Sequence, residues 1–68
     1  MASWNRITAG DTLYDVRRIG SKYQVWPVRV VSMDSVTETA VISWNYNRPR
    51  SVSRKHLEKY RVKRPGAQ

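Results

Sequence analysis

Two runs of residues alternate with a period of two, Tyr23–Met33 (YQVWPVRVVSM) and Glu38–Tyr46 (ETAVISWNY), and they face each other across the short segment Asp34–Thr37. Alternation of this kind sends successive side chains to opposite faces of a strand, so the stretch predicts a long antiparallel hairpin. In the first run Trp26, Val28 and Val30 share one face, and Val25, Arg29 and Val31 share the other. In the second, Ala40, Ile42, Trp44 and Tyr46 oppose Val41, Ser43 and Asn45. β-Branched and aromatic side chains suit such a pleated, half-buried surface. Pro27 has no amide proton, which predicts an edge position or a strand's beginning instead of the middle of a doubly paired strand. The Asp34–Thr37 turn lacks an Asn-Gly or Asp-Gly pair, so its type stays open.

Upstream, Gly10-Asp11 marks a turn, and Thr12–Ile19 reads as a first strand with Thr12, Tyr14, Val16 and Arg18 on one face. Leu13, Asp15, Arg17 and Ile19 take the other, and Gly20–Lys22 connects to the hairpin. Downstream, Asn47-Arg48-Pro49 reads as a turn, because Pro fixes φ and Asn tolerates turn geometry. Arg50–Ser53 is a short fourth strand. Ser53 is placed to cap a single helical turn, Arg54–Leu57, with Leu57 as its inward anchor; four residues are too few for an independent helix. Tyr60–Val62 is the expected last strand.

Five short strands have to hide their edges by closing or nearly closing. The expected class is therefore all-β, a five-stranded barrel over residues 10–62 with one helical turn before the last strand. Residues 1–9 are expected to form a loosely held arm that packs Trp4 or Ile7 onto the domain. Residues 63–68 are expected to form a basic, mobile tail. An OB-type barrel also has five strands, but it normally needs more residues and a longer helix between the third and fourth.

Sixty-eight residues allow one domain. A chain this short buries only about 60% of its extended surface, so its core is small. With no cysteine, disulfides and thiolate metal sites are excluded, and the single histidine, His56, does not make a zinc site. No apolar run approaches the roughly 20 residues that cross a bilayer, and no charged-then-apolar leader is present, which points to a cytoplasmic protein without a membrane partner.

The net charge is +8, and it is unevenly placed. Residues 1–46 carry Arg6, Arg17, Arg18, Lys22 and Arg29 against Asp11, Asp15, Asp34 and Glu38. Residues 47–68 carry Arg48, Arg50, Arg54, Lys55, Lys59, Arg61, Lys63 and Arg64 against Glu58 alone. That asymmetry argues for an anionic partner on the surface built by the C-terminal third.

Gly10-Asp11 with Tyr14, Trp26–Val30, Val41–Asn45, and Ser53-Arg54 through Leu57–Tyr60 together resemble the SH3-like small barrels of the Tudor, chromo-barrel and KOW kind, as found in small phage or bacterial proteins. The resemblance covers residues 10–62. It implies a ligand face of loop aromatics, with Tyr23 or Trp26, Trp44 and Tyr46 as the nearest matches to a methyl-lysine or methyl-arginine cage and Asn47 as a polar edge. The acidic cage residue common in that group is replaced by Arg48 and Arg50, which repel a cation. Other barrels of this size bind double-stranded DNA or RNA through a basic sheet face, and the charge suits that branch.

Arg48, Arg50, Arg54 and Lys55 form the sharpest basic cluster, with Lys59, Arg61, Lys63 and Arg64 extending it. Arg29 joins if it shares a sheet face with Arg50. Arg17 and Arg18 point to opposite faces, so at most one of them belongs. Arginines in such a cluster contact phosphates bidentately. Tyr23, Trp26, Trp44 and Tyr46 are the surface aromatics; Trp26 and Trp44 serve equally as core, and Trp44 shares a face with Ala40 and Ile42. His56 reads as an ordinary surface histidine that also has reach to a phosphate. The carboxylates are scattered with no spacing for acid–base work, and no nucleophile turn or Gly-rich phosphate loop occurs.

The expectation is thus a non-catalytic nucleic-acid-binding module without cofactor or metal, a monomer or small homo-oligomer. Duplex DNA is favoured over structured RNA, with phosphate contacts dominating and little sequence reading. The alternatives are a protein- or peptide-binding adaptor, including a phage-encoded inhibitor that seats an acidic protein surface, and a structural or ribosome-associated protein.

Overall fold

A computed structural model describes residues 2–64, and the chain is mostly β. Four antiparallel strands, β1 (Thr12–Ile19), β2 (Lys22–Asp34), β3 (Thr39–Trp44) and β4 (Arg50–Ser53), form one sheet in the order β1-β2-β3-β4. One helical turn, α1 (Arg54–Leu57), follows, and the Ser53 side chain caps it by accepting from the His56 amide at 3.2 Å. None of the described helices is long and apolar enough to cross a membrane.

The hairpin turns follow from single residues. β1 and β2 are joined by Gly20-Ser21, with Gly20 at φ 62°, a left-handed conformation that suits glycine at the first position of a two-residue loop. At the β2–β3 turn Asp34 Oδ1 accepts from the amides of Val36 and Thr37 at 2.9 and 3.3 Å. This replaces backbone pairing that the loop cannot make. Between Val30 and Ser32 the β2–β3 register slips, leaving Val31 as an extra, exposed residue that bends the long strand.

Pro27 lies within β2, yet it breaks no ladder. Its partner on β1, Tyr14, sends both backbone groups away to Arg61, so that pair needs no bond from Pro27. On its other side Pro27 meets only the end of β3, where its carbonyl accepts from the Asn45 amide at 2.7 Å. It therefore marks the start of the β2–β3 ladder.

Two expectations are corrected here. The reversal after β3 comes before Asn47, because Asn45 and Tyr46 both have positive φ, 51° and 63°, and the Asn47 amide bonds the Trp44 carbonyl at 2.9 Å. That is the pattern of a type I′ turn, and β3 ends at Trp44 instead of running to Tyr46. The fifth strand is reduced to one bridge pair, in which Tyr14 and Arg61 exchange two bonds of 2.8 Å, and the sheet stays unclosed. The amides of Lys59 and Tyr60 still bond back to His56 and Leu57, so the chain leaves the helical turn only at Arg61.

Leu13, Val28, Val30, Ala40, Ile42 and Val52 cover one face of the sheet, and Leu57 and Tyr60 close over them. The N-terminal residues complete the cover. Trp4 and Ile7 pack onto the domain as expected, but the arm is not loosely held: Ala2 is buried with them, and Trp4 lies within a 3-10 turn. The Ala2 amide bonds the Tyr60 carbonyl at 2.9 Å, and the Trp4 amide bonds Glu58 Oε2 at 3.0 Å. Of the expected tail, only Lys63 and Arg64 fall within the described residues.

Trp4→Ala is expected to cost about 3–5 kcal/mol, as core aromatic truncations do, measured by urea unfolding; a loose arm would leave the midpoint unchanged. Tyr46→Gly relieves a left-handed aromatic and is expected to stabilise by about 1 kcal/mol. A lower midpoint for that variant would show that the Tyr46 ring contributes more than its backbone costs.

Candidate functional site

Where the apolar cover ends, the same sheet face turns polar. Residues opposite each other on neighbouring strands share a face, and the register pairs Asp15 with Trp26, Val28 with Trp44 and Ile42 with Arg50. Leu13, Asp15 and Arg17 follow one another on that face of β1 with rising exposure. Residues of α1 and the turn after it wall the opposite side. The result is a cleft of about 460 Å³ between the sheet and the helical turn.

Its floor is an ordered polar group. Asp15, 16% exposed in its side chain, accepts from Trp44 Nε1 at 2.8 Å through Oδ2, and the same oxygen lies 3.5 Å from Arg17 Nη2. Trp44 packs against Trp26 with ring centroids 5.6 Å apart, and the Arg17 guanidinium sits 5.4 Å over the Trp26 ring. On the helical side His56 Nε2 and the Tyr60 hydroxyl are 2.8 Å apart, with the rings edge to face. Arg48, Arg50 and Lys59 line the cleft beside them. Among the described residues none of these three makes an ion pair.

The predicted basic cluster is therefore divided. Arg48, Arg50 and Lys59 meet at the cleft, and Arg17 joins them. Arg29 pairs with Ser43 and Arg50 with the adjacent Ile42, so the two arginines stand on opposite faces and form no continuous patch. Arg61, bridged to Tyr14, and Arg64, beside Tyr14 and Pro27, belong with the outer face. Lys55 and Lys63 are exposed away from the cleft. Arg54 is engaged elsewhere: its Nη1 donates to Glu38 at 2.6 Å, its Nε is 3.6 Å from Glu58, and its guanidinium lies 5.9 Å over Trp4. It ties the β2–β3 turn to α1 and the N-terminal cover.

Of the four surface aromatics, only Trp26 and Trp44 come together. Tyr23, 54% exposed, alternates with Val25 and Pro27 on the outer face, and Tyr46, 86% exposed, borders an outer groove with Tyr14, Val25 and Pro27. The cage suggested by the resemblance is thus not gathered. Asp15 and Tyr60 are absent from the expected site, and His56, expected as a surface histidine with reach to a phosphate, is bonded to Tyr60 within it. The parity of Leu13, Asp15 and Arg17 carried a signal for Asp15, but the return of Tyr60 over the sheet is a tertiary fact. Among the described residues no group of three or more His, Cys, Asp or Glu side chains is placed to hold a metal ion.

Comparison with known proteins assigns no family, since no family model, curated protein or solved structure matches this chain.

Burial, and after it the Asp15 carboxylate, push the Tyr60 phenol above its ordinary value of 10.0, while Arg50 and Arg17 pull the other way. A group with a raised folded-state pKa contributes stability that is complete below the unfolded value and is lost as pH rises through the folded one. Wild-type protein should therefore lose stability above the ordinary phenol value more steeply than Tyr60→Phe. Parallel pH profiles of the urea midpoint would contradict this.

Proposed function

We propose that this protein is a non-catalytic nucleic-acid-binding module that grips phosphates at the cleft between its sheet and helical turn. Duplex DNA is the first expected ligand, ahead of structured RNA, with low sequence specificity because phosphate contacts position without reading bases. In fold terms it is an SH3-like small barrel in which the Arg61 bridge to Tyr14 stands at the position of a closing fifth strand. The proposed setting is the cytoplasm, or the nucleoid within it.

The observation that carries the reading is the convergence of Arg48, Arg50 and Lys59, unpaired with any described carboxylate, on one concave site with Arg17. Like charges held together repel, and a polyanion offsets that repulsion while releasing its own counterions. The neighbouring Arg54 argues by contrast, because a cation used for structure is paired twice. Trp26 is already covered by the protein's own Arg17, which leaves a methylated cation no open cage there.

A second reading, a protein- or peptide-binding adaptor, draws on the outer groove of about 330 Å³ bordered by Tyr14, Val25, Pro27 and the exposed Tyr46. It accounts for the exposed tyrosine but leaves the cleft cations without a role.

The test is duplex binding by fluorescence anisotropy at about 50 and 200 mM salt, where each neutralised phosphate contributes about −0.9 to the log–log salt slope. Changing Arg48, Arg50 and Lys59 together to Ala is expected to flatten the slope by about 2 to 3 and to abolish most of the affinity. Arg54→Ala should lower stability with a smaller effect on binding. No binding at low salt, or an unchanged affinity in the triple variant, would sink the proposal.

A further inference from the structure

We infer that the cleft takes one unpaired nucleotide, with its base stacked on Trp44 and hydrogen-bonded to Asp15, and its flanking phosphates held by Arg48, Arg50 and Lys59. This deepens the phosphate-binding reading and rests on it.

The shape comes first. A volume of about 460 Å³ lies within the roughly 300–1,000 Å³ of sites that enclose a small ligand, whereas the convex ridge of a duplex backbone needs only an open face. The lining comes second. Trp44, His56 and Tyr60 stand beside the cations in one cleft, which joins a stacking platform to an electrostatic funnel as single-strand sites do. Arg17 already covers Trp26, so Trp44 is the tryptophan left to stack.

Asp15 is the third observation, and it separates this reading from a simple phosphate surface. A carboxylate on the floor of a cationic cleft weakens phosphate binding. Its Oδ2 is committed to Trp44 and Arg17, whereas no described side chain bonds Oδ1. An ionised carboxylate has about four acceptor positions, so Oδ1 retains capacity for a donor. The imino and amino protons of the Watson–Crick edge are such donors, and they are free only when the base is unpaired.

The test compares a blunt DNA duplex with the same duplex bearing one unpaired terminal nucleotide, substituted in a parallel set by a fluorescent base analogue. The overhang is expected to bind about 5- to 160-fold tighter, the range of one stacked base, and the analogue's emission should be quenched. Asp15→Asn keeps an acceptor for Trp44 but removes the negative charge. It is expected to bind the blunt duplex more tightly than wild type while losing part of the overhang's advantage. Trp44→Phe should reduce the quenching. Equal affinities for the two duplexes with unquenched emission would overturn the inference and leave phosphate binding standing. Failure of both duplexes to bind at about 50 mM salt would remove the phosphate reading, and this inference with it.

Discussion

Everything in this molecule depends on covering one apolar sheet face with very little chain. Four antiparallel strands present Leu13, Val28, Val30, Ala40, Ile42 and Val52 to one side, and an exposed sheet face of that kind does not persist alone in water. Among the described residues the only α-helix is a single turn that contributes Leu57, so the cover is assembled from both ends of the chain. Ala2, Trp4 and Ile7 come from the N-terminus and Tyr60 from the segment after α1. Arg54 holds the two together through Glu38, Glu58 and the Trp4 ring. Exposed ion pairs contribute little individually; this one matters because it spans three segments that are otherwise joined by a small core and a few hydrogen bonds.

The cleft is a consequence of the same economy. The cover does not extend past Leu13 and Ile42, so the sheet face beyond them remains open. There the period-two pattern continues with Asp15, Arg17, Trp26, Trp44 and Arg50 in place of aliphatic residues. The tryptophans bridge the two zones. Trp44 packs partly against the core and also lines the cleft, with its indole N–H satisfied by Asp15. A buried-edge tryptophan with its polar atom paired can hold a fixed orientation, and a fixed aromatic wall is what distinguishes a cleft from a flexible basic surface.

Much of this was legible in the sequence, and what was not has identifiable causes. β1 and β4 have the bounds that alternation and turn residues predict, and Ser53 caps α1 as its position before the turn implied. The bulge at Val31 has no mark in a run of valines, because an extra residue in one strand is visible only against its partner. The Asn45-Tyr46 turn was hidden because tyrosine rarely takes positive φ, so the pattern read on as strand. The split of the basic cluster had the same origin as its apparent unity. Counting charges along the chain gathers Arg50, Arg54 and Arg61, whereas strand register and ion pairing send them to different surfaces.

The C-terminal third thus contains cations of two kinds, and the difference is energetic. Arg54 stabilises the fold in the absence of any ligand, since its charge is met by Glu38 and Glu58. Arg48, Arg50 and Lys59 have no such partner among the described residues, and they line one cleft around a single carboxylate. In a domain this small, with stability of only a few kcal/mol, an anion that relieves repulsion among them has a proportionately large effect. An anion seated in the cleft favours the folded form, because the unfolded chain disperses those side chains. By mass action the same ligand must also stabilise the fold. On the proposed reading, occupation of the cleft would couple binding to folding at a site where Arg17 is held over Trp26 and Asp15 is bonded to Trp44.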